Sequence, residues 1–127
     1  MGVLKVITEK KDEGVYMIKL LGPLDTETYP TFEKELEIIL NDKIKAVILN
    51  MEGVNYISSM GIGSVFKLSN AVKGLKGTLL LTNLHPQIRK VFDTVKALPE
   101  SIFTSIEEAD IYLNEIQKKY LERNNPS

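Results

Sequence analysis

The chain has 127 residues, of which 43% are hydrophobic, so it is long and apolar enough to form one domain with its own core. Its formal net charge of −1 does not provide the basic surface that nucleic-acid binding requires, and its lack of cysteine excludes disulfides, thiolate metal sites and thiol nucleophiles. Its apolar runs are far shorter than the roughly 20 residues of a membrane-spanning helix. We therefore expect a cytoplasmic domain over residues 1–121, a short polar tail at 122–127, and no direct contact with nucleic acid or membrane.

The first part of the chain predicts two strands followed by the start of a helix. Residues 3–7 and 15–21 are rich in apolar side chains, and the polar loop at 11–14 joins them as a hairpin. Gly22 and Pro23 end the second strand. The side chains that can cap a helix after this turn are Asp25, Thr26 and Thr28.

Helices and strands then alternate. The first helix has an apolar face between Phe32 and Leu40, and Pro30, which fits only the first turn, places its start near the last of the three caps. Apolar runs at 46–49 and 78–82 predict strands buried on both faces of a sheet. Between them, residues 60–73 have helical periodicity, and glycines follow directly.

The last third of the chain completes the pattern. Pro86 begins a short helix, residues 102–104 form a last short strand, and residues 105–108 have the form of a capping box. The C-terminal helix has an apolar stripe made of Ala109, Leu113, Ile116 and Tyr120. The order β-β-α-β-α-β-α-β-α predicts a single α/β domain, with a mixed sheet of four to five strands packed with about four α-helices.

The sequence offers little for catalysis. His85 is the only histidine and precedes a proline, which is typical of a loop or helix-cap residue. Gly61 and Gly63 lack the following lysine and the spacing of a phosphate-binding loop. The acidic residues of the first helix, Glu33, Glu35 and Glu37, lie on different faces and are expected to be solvated. We therefore expect no enzymatic activity, no cofactor and no metal.

The segment at 56–63 is harder to explain by folding alone. Ser58 or Ser59 can cap the helix that follows. Gly61 and Gly63 lie in its first turn, where each costs up to about 1 kcal/mol relative to alanine. Either a partner approaches the backbone there, or the glycines allow close packing of the helix on a strand. The sequence leaves both explanations open.

Four stretches in order resemble the STAS domain, the fold of bacterial anti-sigma factor antagonists. Residues 22–25 resemble the family's Gly-x-Leu-Asp turn, and residues 46–51 resemble its central strand. Residues 57–63, Ile-Ser-Ser-Met-Gly-Ile-Gly, resemble its signature, which is commonly Asp-Ser-Ser-Gly-Leu-Gly, and residues 86–92 resemble a later helix. The resemblance extends from residue 3 to about residue 118, nearly the whole chain.

The resemblance implies a mechanism and a site. In the family, an anti-sigma factor that is also a serine kinase binds the unphosphorylated antagonist and releases its sigma factor; phosphorylation breaks the complex, and a serine phosphatase resets it. Alignment on the two glycines places the phosphoacceptor at Ser59, with Ser58 where many antagonists have Asp and Met60 replacing a small residue. The implied partner-binding residues are Asp25, Ser58, Ser59, Met60, Gly61, Ile62 and Gly63.

A phosphate on Ser59 would add about −1.5 to −2 charges at a helix N-terminus, where the helix dipole tolerates it. We expect the fold to survive and an apolar patch around Met60 and Ile62 to become anionic. Asp25 is equally explained as a helix cap. A non-phosphorylated STAS scaffold, or an accessory subunit of a signalling or lipid-transport complex, is the alternative function. Nucleotide binding is the weakest hypothesis because a phosphate loop is lacking.

Overall fold

The computed structural model describes residues 2–97 and 106–123. Its strands are β1 Lys5–Asp12, β2 Val15–Leu21, β3 Ala46–Gly53 and β4 Thr78–Thr82. Its helices are α1 Tyr29–Ile39, α2 Ser59–Gly74, α3 Pro86–Ala97 and α4 Ile106–Arg123. The predicted strand at 102–104 and Ser105 of the predicted capping box lie outside the described residues. Because α4 ends at Arg123, the first two residues of the predicted tail continue a helix.

The four strands form one mixed sheet in the order β1-β2-β3-β4. The opening hairpin is antiparallel, whereas β3 runs parallel to both β2 and β4. Parallel neighbours require crossover connections, which α1 and α2 supply. The predicted α/β domain with a mixed sheet and four helices is confirmed.

The strand β3 lies at the centre of the core. Val47, Leu49 and Met51 on one of its faces are completely buried, and the residues that alternate with them are partly covered. The prediction that β4 is likewise buried is wrong, because Leu80 is 50% exposed and Thr78 is exposed. Within the described residues β4 pairs with β3 alone, so it is the outermost of the four described strands.

The ends of the elements follow local chemistry. Pro30 lies in the first turn of α1 and Thr28 is its N-cap residue, as predicted. The strand β1 extends to Asp12, well beyond the predicted end at residue 7, because polar residues of an exposed hairpin arm still pair with β2. Gly14 makes the turn with φ 73°, and its Cβ, if present, would lie 2.3 Å from the carbonyl oxygen of Lys43.

The prediction that Glu33 is merely solvated is wrong. Its carboxylate accepts hydrogen bonds from the Ser64 hydroxyl at 2.6 Å and from the Lys67 ammonium group at 3.0 Å, and Ser64 is buried on α2. These bonds, the one from Ser64 first, hold the pKa of Glu33 below its ordinary value of 4.5. The prediction considered only which residues share a face of α1, whereas the partners of Glu33 lie on the neighbouring helix α2.

The lowered pKa of Glu33 predicts a pH-dependent contribution to stability. The ionised carboxylate should stabilise the fold above pH 4.5, and this contribution should vanish as the pH falls through the lowered folded value. We expect Glu33→Gln to lower the free energy of unfolding by about 1 kcal/mol at pH 7, with a smaller loss towards pH 3. Urea unfolding at several pH values measures this difference. Glu37→Gln, at an exposed position of the same helix, is the control. If the loss of unfolding free energy in Glu33→Gln were the same at every pH, the charge of Glu33 would not contribute to stability.

Candidate functional site

The signature segment is joined to the turn before α1 by a short parallel bridge. Leu24 donates its N–H to the carbonyl oxygen of Tyr56 at 3.1 Å, and Ser58 donates its N–H to the carbonyl oxygen of Leu24 at 3.0 Å. The side chains of Leu24 and Ile57 are both fully buried. The two sequence stretches singled out above, 22–25 and 57–63, therefore form one structural unit.

The two adjacent serines have different roles. Ser58 has extended backbone angles and is the N-cap of α2; its hydroxyl accepts a hydrogen bond from the N–H of Gly61 at 3.3 Å, and the residue is 3% exposed. Ser59 is the first residue of α2 and is half-buried, with its hydroxyl oxygen shielded from solvent. The capping role thus belongs to Ser58, and capping does not explain Ser59.

The two glycines also have different roles. A Cβ on Gly61 would lie 2.3 Å from the carbonyl oxygen of Leu24 and 3.0 Å from Cγ1 of Ile57, so glycine is needed for α2 to pack against this bridge. Gly63 is exposed, and apart from its chain neighbours and the backbone of its own helix no atom lies within 4 Å of its hypothetical Cβ. Close packing therefore accounts for Gly61 and leaves Gly63 as a flat, open position on the surface of α2.

Asp25 caps the start of the turn into α1. One carboxylate oxygen accepts hydrogen bonds from the N–H groups of Glu27 and Thr28, both at 3.0 Å. The Thr28 hydroxyl accepts the N–H of Asp25 at 2.9 Å and donates to the carbonyl oxygen of Pro23 at 2.8 Å. Asp25 therefore caps the turn that precedes α1, whereas the N-cap residue of the helix itself is Thr28, so the prediction of Asp25 as the helix cap is wrong in that detail. Asp25 also lines an open surface groove together with Ser58 and Tyr56, so it does lie beside the signature segment.

The predicted binding residues are close in space but differ in accessibility. Asp25, Ser59 and Met60 are partly exposed and Gly63 is exposed. The side chains of Ser58 and Ile62, and the whole of Gly61, are buried. The expected apolar surface patch around Met60 and Ile62 is therefore wrong for Ile62, whose 3% exposed side chain points into the core from the helix face that also carries Val65.

Two residues of α4 contact the signature segment and were not predicted. Gln117 is 3% exposed and forms hydrogen bonds with both the N–H and the carbonyl oxygen of Ile57. One turn earlier, Asn114 accepts a hydrogen bond from the Tyr56 hydroxyl. A sequence signal existed for Gln117: it follows Ile116 and lies four residues after Leu113, so a glutamine interrupts the predicted apolar stripe.

His85, the residue considered above for catalysis, contacts the backbone on two sides. His85 contacts the carbonyl oxygen of Glu52 through Nε2 at 2.5 Å, and its own carbonyl accepts N–H groups from the first turn of α3. Over residues 2–97 and 106–123, no group of three or more His, Asp or Glu residues could hold a metal ion. No helix in the same part of the chain combines the length and the apolar character needed to cross a membrane.

Comparison with known proteins shows the family to which this domain belongs. The family model described as the STAS domain matches residues 7–109, which include the bridge, the capped helix α2 and both glycines. The chain belongs to the STAS domain family. The resemblance found in the sequence is thereby confirmed.

The relatives within the STAS family are named for regulation of sigma factors. A protein of Bordetella bronchiseptica named as a candidate anti-sigma factor antagonist, BtrV, is 28% identical over 87 residues, which cover 68% of this chain and 75% of that protein. The anti-sigma-B factor antagonist of Staphylococcus aureus is 27% identical over 90 residues, covering 71% and 82% of the two chains. Neither name denotes a catalytic activity.

A solved structure agrees with the fold. The Bacillus cell fate determinant SpoIIAA, in its phosphorylated form, superposes with a TM-score of 0.61 and is 23% identical, covering 72% of this chain and 83% of that one. The likeness shows that the two chains share the STAS fold.

Proposed function

We propose that this protein is an anti-sigma factor antagonist that works in the cytoplasm. It binds an anti-sigma factor that is also a serine kinase, frees a sigma factor, and loses this activity when Ser59 is phosphorylated. Membership of the STAS family and the names of the relatives support the general role. The observation that supports Ser59 is the different role of the two serines, because the hydroxyl of Ser58 is engaged as the N-cap of α2 and capping does not explain Ser59.

The surface that the partner contacts is the first turn of α2. Met60 offers a partly exposed, flexible apolar side chain, and the space over Gly63 lets a partner approach the helix backbone. Asp25 adds a carboxylate from the adjacent turn. Ser58, Gly61 and Ile62 are buried and contribute indirectly, because they fix the position of this first turn. The binding site therefore consists of few exposed side chains on a rigid support.

The shielded hydroxyl of Ser59 affects the kinetics of the switch. A kinase must reach the hydroxyl oxygen, which is buried in this conformation. Local opening of a helix terminus needs much less free energy than global unfolding, so transient displacement of the first turn of α2 can supply access. Phosphorylation should then be slower than in a peptide that contains the same segment.

The test is intact-mass measurement after incubation with each candidate anti-sigma kinase and ATP. We expect one phosphate on the wild type and on Ser58→Ala, and none on Ser59→Ala. Ser58→Ala is the matched control, because it loses the cap hydroxyl, worth about 1 kcal/mol, and keeps the acceptor. A folded wild-type protein that gains no phosphate from any kinase would contradict the switch and favour the scaffold or accessory role.

A further inference from the structure

The segment that leads into Ser59 is held from both sides. On one side, Leu24 bonds with the backbone of Tyr56 and Ser58. In a parallel bridge of this kind, the N–H and carbonyl group of the middle residue point to the opposite side. The structure fills that opposite side with one side chain, Gln117 of α4.

Gln117 replaces a strand partner for Ile57. Its carboxamide oxygen accepts the Ile57 N–H at 3.1 Å, and its amide nitrogen donates to the Ile57 carbonyl oxygen at 2.9 Å. The second amide hydrogen is donated to the carbonyl oxygen of Leu113 on the same helix, at 3.2 Å. A carboxamide has one acceptor group and two donors, so this side chain satisfies both backbone groups of Ile57 and is itself fixed by α4.

The contact is buried and has few substitutes. Gln117 is 3% exposed and Ile57 is completely buried, so water cannot readily replace the carboxamide. Removal of the side-chain amide would leave two buried backbone groups of Ile57 without partners, which is more costly than the loss of an exposed hydrogen bond. Tyr56 and Asn114 add a second contact between α4 and the same segment.

We infer that Gln117 is a positioning residue for the Ser59 switch, through which α4 holds the phosphoacceptor segment and the first turn of α2 in place. Ile57 is two residues before Ser59 and directly precedes the N-cap Ser58. A shift of Ile57 must therefore move the cap, the start of α2 and the exposed residues around Gly63. That this segment acts as a switch rests on the proposed function. The contact by which Gln117 positions the segment does not depend on that function.

The first part of the test is amide hydrogen exchange of Gln117→Leu, a substitution of similar volume without hydrogen bonding. We expect the protection of the Ile57 amide to fall at least about tenfold more than that of the Ser58 amide, because Ser58 still bonds to Leu24. Ile44→Val and Ile44→Ala are controls that bracket the loss of global stability. Ile44 is buried before β3, at the end of the sheet opposite to the segment. Equal changes at both amides that also occur in the Ile44 controls of matched stability would show a global effect and would overturn the inference.

The second part measures the position of residue 59 itself. The chain contains no cysteine, so Ser59→Cys introduces a single thiol at the hydroxyl position. Because that position is shielded, labelling by a disulfide reagent should be slow, and adding Gln117→Leu should accelerate it several-fold. The same acceleration in the Ile44 controls of matched stability would show a global effect and would overturn the inference.

The third part connects the contact to function. With the kinase that phosphorylates the wild type, Gln117→Leu should weaken binding several-fold at a temperature where the variant is fully folded, since the docking surface is no longer held in one geometry. Unchanged affinity would overturn the positioning role. If the wild type binds no kinase, the proposed function fails, and the exchange and labelling results still decide whether Gln117 positions the segment.

Discussion

Replacement of Gly61 by alanine should destabilise the domain by about 2 kcal/mol, whereas the same replacement at Gly63 should leave stability unchanged or raise it slightly. The added methyl group at position 61 would meet the carbonyl oxygen of Leu24 at 2.3 Å, and this backbone atom cannot move without breaking the bridge to Ser58. Overpacking of this kind typically costs about 1–3 kcal/mol and outweighs the gain in helix propensity, at most about 1 kcal/mol. Gly63 has open space and keeps only the gain.

Thermal unfolding compares the two variants directly. The two substitutions add the same atoms within one helical turn, so differences in propensity and in the unfolded state largely cancel. For a domain of this size, a loss of about 2 kcal/mol lowers the melting temperature by roughly 8 °C. Similar melting temperatures for Gly61→Ala and Gly63→Ala would show that α2 does not pack tightly against the Leu24 bridge.

The elements that the sequence predicted well are governed by local rules. The hairpin, the start of α1 at Thr28 and the alternation of strands and helices each follow from residues close together in the chain. The exposed face of β4 was missed because an apolar run alone does not tell whether a strand is central or outermost. The helical periodicity at 60–73 predicted the extent of α2, but only the structure shows that its buried face includes Leu68.

In the candidate site, too, features set by nearby residues were predicted and contacts between distant residues were not. The resemblance of residues 57–63 to the STAS signature indicated the candidate site, but only the structure assigns the cap to Ser58 and the packing role to Gly61. The contact between Gln117 and Ile57 joins residues 60 apart in sequence. No periodic pattern predicts such a contact, because it depends on how α4 docks against the rest of the domain.

Phosphorylation of Ser59 should abolish partner binding while the domain stays folded. The residue is half-buried at the first position of α2, where the N-terminal end of the helix favours negative charge, and Ser58 continues to cap the helix. We therefore expect the melting temperature of the phosphorylated protein, or of Ser59→Asp, to stay within a few degrees of the wild type. The phosphate adds about −1.5 to −2 charges next to Met60 and Gly63.

The loss of binding follows from the cost of desolvating that charge. A charge buried without a partner at an interface costs about 3–5 kcal/mol, which corresponds to a loss of affinity of about 100-fold or more. Titration calorimetry with the kinase that modifies Ser59 measures this loss in Ser59→Asp. Ser59→Asn is the matched control, because it has nearly the same shape and no charge, and it should retain most of the affinity. An equal loss in both variants would mean that the interface rejects the size of the side chain, and phosphorylation would then act by steric exclusion instead of charge.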